Sequence, residues 1–368
     1  MSRILIVSNL YPSKKDPTYG TFVYNFCKEL ESYFENTIID KCVIRGRTTS
    51  IIIRISKYII FYLSSFFHLL CFKYDLVYVH YISHSIPPVW LALKFRKQPI
   101  AYNVHGDDLI VRSKQGELFL KMAQSLLCKS KIIVVPSSFF KELLLIKNPA
   151  IIDNNIIVSP SGGVDKSFYY PENIEKKSCS VIHLGYVSRI DKGKGWSLFI
   201  RSVKQLTERG TNVKASIVGM GNQTEEMNNL IGELNLNSVI TYYGGVSHAE
   251  LPSLYRSLDL FVFPTSLQES LGLVGLEAMA ACTPVVGSNI GGLKSFIIDG
   301  VNGFLFEPDD IEDLNSKILR YLELDRDKKN QMRLSAYKTA LEYESKMIST
   351  RLFKQMNDIY KIDSFNNK

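Results

Sequence analysis

At 368 residues, of which 46% are hydrophobic and 22% charged, the chain is too long for one ordinary core and reads as two globular α/β domains with no low-complexity tract. Its net charge of +8 is uneven, residues 1–180 carrying +9 and residues 181–368 carrying −1, so the first half suits a phosphorylated substrate or an anionic lipid surface; no nucleic-acid module accompanies the charge, and no nucleic-acid partner is expected. Six scattered cysteines without CxxC spacing exclude a disulfide framework or structural zinc, and with no signal peptide before the first strand they lead us to expect a reducing cytoplasm.

RILIVS (Arg3–Ser8) reads as a buried strand, followed by the loop NLYPSKKDPTYGTF and a helix from about Thr21 to Ser32. Gly20, beside that helix start, can bring backbone N–H groups up to a phosphate, with an ordinary βα turn as the alternative. Ile51 to Phe72 is the most hydrophobic segment, yet only fifteen residues without Lys, Arg, Asp or Glu separate Lys57 from Lys73, short of the ~20 a membrane span needs. A buried crossover helix is expected. The alternative is an interfacial helix with Arg54, Lys57 and Lys73 on lipid headgroups and Lys94, Arg96 and Lys97 nearby, so contact of 51–72 with a membrane stays open.

DLVYVHY (Asp75–Tyr81) is a strand ending in His80, and PIAYNVHGDD (Pro99–Asp108) is another ending in His105, Asp107 and Asp108. A histidine leaving a strand end into a Gly-Asp loop can face a cleft and donate to a substrate oxygen, although a lone histidine is more often structural. Asp107 and Asp108 could cap a helix, or one of them could accept an acceptor hydroxyl. KIIVVPSS and NNIIVSPSGGVD supply the last strands of the first half, and PENIEKKSC (Pro171–Cys179) reads as the linker.

The second half repeats the alternation with VIHLGYV, KASIVGMG, SVITYYGG, LDLFVFP, TPVVGS and NGFLFEP, which implies right-handed βαβ units and a parallel sheet in each half. A ligand is expected at the carboxyl ends of the strands, in the crevice between the domains. Two stretches stand there. In GYVSRIDKGKGW (Gly185–Trp196), Arg189 and Lys194 follow a strand and suit a diphosphate, Arg as a forked donor and Lys as a point charge. In ESLGLVGLE (Glu269–Glu277), two carboxylates eight apart bracket a helix opening at about Leu271, whose amides from Ser270 to Leu273 would attract phosphate or oriented hydroxyls. Glu269 could accept hydroxyls of a polyol and Glu277 a vicinal diol such as a ribose. Read alone, Glu269 is as readily a helix cap and Glu277 a solvated helix residue.

SRIDKGKGW paired with VFPTSLQESLGLVGLEAMAACTPVVGSNIGGLKSFIIDGVNGFLF resembles the retaining GT-B glycosyltransferases of the large group 1 (family 4) nucleotide-sugar-dependent family, and YPSKKDPTYGTF, NVHGDD and SPSGGVD agree in the first half. The resemblance is strongest from Gly185 to Phe306 and weakest from Ser32 to Tyr74. It implies two Rossmann-like parallel-sheet domains facing across a cleft: residues 1–170 on the acceptor side, residues 171–342 binding the nucleotide sugar, and a terminal helix within 343–368 packing back on the first. It further implies a retaining, metal-independent transfer of a sugar from a UDP- or GDP-linked donor, with no cofactor, to a glycan or lipid-linked acceptor in surface polysaccharide synthesis. The enzyme would be cytoplasmic, with a peripheral position on an anionic membrane surface as an expectation from its basic first half.

By the same resemblance Arg189 and Lys194 would bind the donor diphosphate, Glu269 the sugar, the amides of Ser270, Leu271, Gly272 and Leu273 sugar and phosphate, and Glu277 the ribose. Gly20 would close on the diphosphate from the first domain, Val246 would neighbour the base, and His105 with Asp107 would serve the acceptor side. Thr21 departs from the second glycine that many relatives carry, and Lys192-Gly193 lengthens the local run of cations, so the phosphate contacts of the first domain and the choice of phosphate lysine are less determined than the glutamates. A nucleotide-sugar epimerase of the same fold and an inactive nucleotide-sugar-binding subunit are the competing readings.

Overall fold

A computed structural model describes residues 2–17, 19–106, 108–110, 113–160, 162–169 and 181–362. The chain forms two compact units, residues 1–162 with 346–368 and residues 163–345. The division thus falls at Gly162/Gly163, earlier than the 170/171 boundary read from the sequence; the expected linker Pro171–Cys179 lies outside the described residues.

The first unit is a six-stranded parallel sheet of β1 (Ser2–Tyr11), β2 (Thr37–Arg45), β3 (Leu76–His80), β4 (Ile100–Asn103), β5 (Ile132–Val135) and β6 (Ile156–Val158), in the order β2-β1-β3-β4-β5-β6. The central strands are apolar on both faces because helices cover both, and β3, β4 and β5 are buried at every position. One face packs α2 (Ile51–Cys71), α3 (Ile86–Ala92) and α4 (Lys114–Leu127). The other packs α1 (Thr21–Tyr33) together with Leu352, Phe353 and Met356 of the terminal helix, Ser345–Tyr360.

Helix α2 departs from expectation. The sequence reading favours a buried crossover, but only Phe61, Ser65 and Leu69 are buried, and the opposite face is open to solvent. Among the described residues it is the one helix long and apolar enough to cross a membrane, by length and composition. Its start is held by Ser50, whose side chain accepts from the Ile53 amide.

The second unit is again a six-stranded parallel sheet: β7 (Ile182–Val187), β8 (Val213–Val218), β9 (Ile240–Tyr242), β10 (Leu260–Phe263), β11 (Val285–Ser288) and β12 (Gly303–Phe306), in the order β12-β11-β10-β7-β8-β9. After β7 the chain builds outward through β8 and β9, then returns to the other side of β7 with β10. The strand order therefore reverses between β7 and β10, where open α/β sheets leave a crevice at their carboxyl ends. In the first unit the reversal lies between β1 and β3. Buried Arg333 anchors the second unit away from this edge, donating to Asp259 Oδ1 at 3.0 Å and to the Tyr321 hydroxyl at 3.1 Å.

Candidate active site

The loops leaving β7 and β10 carry the charged residues singled out in the sequence. After β7 the chain turns through Gly193 (φ 83°) and Gly195 (φ 78°), and Gly195 caps α6 (Trp196–Glu208). The second glycine is sterically required: a Cβ there would lie 1.7 Å from the Pro264 carbonyl oxygen at the end of β10. This close approach brings the two loops together. Ser266 N donates to Gly193 O at 2.9 Å, and Lys194 Nζ reaches Glu269 Oε1 at 2.7 Å. Both side chains are mostly enclosed, 13% and 16% exposed, so the pair is formed in a partly desolvated corner where its attraction is stronger than in water.

Thr265, fully buried, fixes the glutamate. Its hydroxyl lies 2.9 Å from Glu269 Oε1 and 3.2 Å from Gly193 O, and it accepts from the Leu267 amide at 3.1 Å. Gly292 N donates to the Glu269 carbonyl at 2.9 Å. Glu269 is thus held through backbone and side chain, with Oε1 occupied by Lys194 and Thr265.

The helix opens later than read from the sequence. α9 runs Leu273–Ala280, and Gly272 is its cap rather than part of its first turn, because its backbone is left-handed (φ 93°); a Cβ there would also meet Phe263 at 2.8 Å. The amides of Ser270, Leu271, Gly272 and Leu273 have no acceptor among the described residues. They stand at the positive end of the helix dipole, where an anion or an oriented hydroxyl is favoured.

Glu277 is on the second turn of α9 and is not a solvated helix residue. It is 14% exposed and accepts from the Tyr255 hydroxyl at 3.2 Å, with His248 Nε2 at 3.9 Å from its other oxygen. Burial pushes its carboxyl up to about 7, against the opposing pull of the Tyr255 hydrogen bond. Tyr255, packed in the core beside that carboxyl, is pushed well above its usual range by burial.

Arg189 is not gathered into this group. It turns to Asp191, Nη1 to Oδ2 at 3.0 Å, and is 73% exposed, so it stands in a solvated surface pair rather than with Lys194 and Glu269. Val246 is half-buried against the cluster that includes Phe168 and Tyr255, in the segment following β9. Thr265, His248 and Tyr255 escaped the sequence reading. A polar residue directly after an apolar strand marked Thr265, whereas nothing local marks His248 or Tyr255, which meet Glu277 only through the fold.

In the first unit, Gly20 (φ 69°) caps α1, and a Cβ there would lie 2.6 Å from the Leu10 carbonyl carbon. His105, half-buried, stands 3.0 Å through Nε2 from His80 Nδ1 and stacks on Tyr81 with ring centroids 4.6 Å apart. Burial pulls its imidazole down to about 3, so it is neutral at ordinary pH. Asp108 accepts from the amides of His105, Gly106 and Ile82, which locks the loop behind the histidine. Burial still raises its carboxyl to about 6. Asp107 lies outside the described residues. No group of three or more His, Cys, Asp or Glu side chains suited to a metal ion occurs among the described residues.

Residues 174–339 match the family model described as glycosyl transferases group 1. A D-inositol 3-phosphate glycosyltransferase of Corynebacterium aurimucosum is 26% identical over 315 residues, 79% of this chain and 72% of that protein. The capsular polysaccharide biosynthesis glycosyltransferase CapM of Staphylococcus aureus is 30% identical over 244 residues, 62% of each chain. Among solved structures, sucrose-phosphate synthase from Thermosynechococcus elongatus superposes with a TM-score of 0.77 at 18% identity, over 98% of this chain and 100% of that one. HepE of Anabaena, in complex with UDP and glucose, gives 0.72 at 19%, over 97% and 100%. At such identities the superpositions speak for the fold. The sheet order, the paired loops at the β7/β10 reversal and these matches agree: residues 174–339 are similar to the group 1 glycosyl transferases, and the fold is the GT-B architecture of the solved neighbours.

Proposed function

We propose that the chain is a retaining glycosyltransferase that moves a sugar from a uridine- or guanosine-diphosphate donor to a hydroxyl of a glycan or lipid-linked acceptor in surface polysaccharide synthesis, in the cytoplasm and without a metal ion. The observation that carries the reading is the Lys194–Glu269 pair, 2.7 Å apart at the strand-order reversal beside the open amides of α9. The UDP and glucose bound to HepE, and the capsular role in the name of CapM, support the donor class and the pathway class.

In this reading the donor enters as a new partner for both charges. Lys194 and Arg189 take the diphosphate oxygens, the amides of Ser270 to Leu273 take phosphate and sugar oxygens, and Glu269 accepts sugar hydroxyls. Glu277 accepts the ribose hydroxyls, and the base packs near Val246. As the anomeric C–O bond breaks, negative charge collects on the leaving diphosphate, and cations aimed there lower the barrier. The acceptor oxygen bonds to the anomeric carbon on the face the diphosphate leaves, and its proton passes to a departing phosphate oxygen. Gly20 is assigned to the diphosphate. Neutral His105 is assigned, with Asp107, to hydroxyls of sugar and acceptor, since an uncharged imidazole can donate or accept a hydrogen bond but adds no charge.

A panel of nucleotide sugars screened by thermal shift identifies the donor, because the ligand bound only by the folded state raises the melting temperature. Transfer to a glycan acceptor is then followed by product analysis, with and without EDTA. Retained anomeric configuration and unchanged rate in chelator are expected. An inverted product refutes the same-face attack, loss of rate in EDTA refutes metal independence, and donor turnover without acceptor assigns an epimerase instead.

A further inference from the structure

Helix α2 turns to solvent the face that an ordinary surface helix keeps polar. From Ile55 to Phe67 its exposed residues are Ile55, Ser56, Ile59, Ile60, Leu63 and Phe67, with no charge among them, opposite the buried Phe61, Ser65 and Leu69. At 21 residues the helix is about 30 Å long, so the stripe is extended rather than a spot. Phe95, 71% exposed with its ring 6.3 Å from that of Phe66, widens it. Exposed apolar surface of this extent marks a contact with something else.

The charge around the stripe says what. Residues 41–106 hold nine Lys or Arg and one carboxylate, Asp75; with Lys41 paired to Glu31 and Arg47 to Asp16 outside that span, seven cations remain against the one carboxylate, a net +6. Arg54 stands exposed in the first turn of α2. Lys94 and Lys97 stand exposed past α3, in the segment that Arg96 ties to the far end of α2 by donating to the Leu70 carbonyl. Apolar side chains thus lie between cations at both ends, the pattern of a helix lying along a lipid surface with its charges at the phosphates.

We propose that α2 docks this unit on a bilayer leaflet rich in anionic lipid, lying in the interfacial plane with Ile55, Ile59, Ile60, Leu63 and Phe67 among the acyl chains. It does not span, because its other side is part of the core through Phe61 and Leu69. A second copy of the chain is a poor occupant: a two-fold contact sets the same patch against itself and brings the flanking cations of both copies together. The inference rests on α2 and its flanks and is independent of the donor site.

The test is flotation of the full-length protein with phosphatidylcholine vesicles and with vesicles of phosphatidylcholine and phosphatidylglycerol. The wild type is expected to float with the anionic vesicles and to stay behind with the neutral ones. Ile59→Ser/Ile60→Ser/Leu63→Ser removes the insertion and should abolish flotation. Arg54→Gln/Lys94→Gln/Lys97→Gln should weaken partition on anionic vesicles about 100-fold, at roughly fivefold per cation. All six sites are exposed, and unchanged melting curves together with unchanged donor binding would show the variants folded. The proposal is overturned if the wild type ignores anionic vesicles. It is equally overturned if sedimentation shows a dimer that the serine variant dissociates, which assigns the face to a second copy, or if external protease reaches one flank of α2 in vesicles while the other is cut only after the vesicles are lysed, which makes it a span.

Discussion

If Glu277 holds the donor ribose, donor affinity must depend on pH. In this fold burial lifts the carboxyl from an ordinary 4.5 to about 7, which corresponds to roughly 3 kcal/mol against its ionised form. The sign follows from proton counting. Between about pH 4.5 and 7 the folded state holds a proton that the unfolded state has released, so this group makes the fold less stable as pH rises through that window. Ribose hydroxyls donate more strongly to the carboxylate, which can accept from both of them, than to the acid, so donor binding favours release of the same proton. About one tenth of Glu277 is ionised at pH 6 and about nine tenths at pH 8, so Kd should fall roughly tenfold over that span. Isothermal titration with a sugar diphosphate diester, whose phosphates do not titrate in this range, measures it directly. Glu277→Gln should bind weakly with a flat profile. His248→Gln, which removes the nearby imidazole 3.9 Å away, should keep the slope. A flat wild-type profile, or a slope that survives in Glu277→Gln, would refute the assignment.

Lys194→Ala should lower kcat/KM about 10²- to 10³-fold, corresponding to ~2.7–4 kcal/mol of lost leaving-group stabilisation, with an unchanged circular dichroism spectrum; turnover at the wild-type rate would remove the lysine from the scheme. Gly195→Ala forces a Cβ to 1.7 Å from Pro264 O at φ 78°, so the melting temperature should fall by several degrees and donor binding should be lost, because the two loops can no longer meet. Arg333→Met leaves Asp259 and the Tyr321 hydroxyl without their shared donor. Since Asp259 is 23% exposed, the cost should sit near the low end of the buried-pair range, about 3 kcal/mol by urea unfolding.

The fold was legible where burial is two-sided. Apolar runs such as IIVV and LFVF announce central parallel strands because helices cover both faces. β2 is absent from the sequence reading for the converse reason. It is an edge strand, TIIDKCVIR, buried only at Cys42 and Ile44, and its Asp40 and Lys41 break the apolar run. α2 exposes a different limit: composition reports that a segment is apolar all round, but which side meets the core is decided by tertiary contacts. At the candidate site the glutamates and lysine were readable from spacing and strand-end position. The start of α9 was not, because Gly272 ends the loop in a left-handed conformation, and the ring of Phe263 from the preceding strand leaves no room there for a Cβ. The surroundings of Glu277 were equally hidden, since Tyr255 lies 22 residues earlier on another helix and His248 in the loop before it.

The Lys194–Glu269 pair also satisfies two charges that the fold encloses side by side. Each charge is mostly enclosed, and an enclosed charge with no partner is costly. Paired with each other, and with Thr265 donating to the same glutamate oxygen, they keep the corner satisfied before any ligand arrives. A neutral polyol could displace the lysine from Glu269 only by leaving an uncompensated ammonium, and a bare phosphate could draw the lysine away only by stranding the carboxylate. A sugar phosphate offers both replacements in one molecule: hydroxyl donors for Glu269 and anionic oxygens for Lys194. If the donor binds here as proposed, the corner would discriminate by requiring the two exchanges together, a coupling that would follow from the 2.7 Å contact.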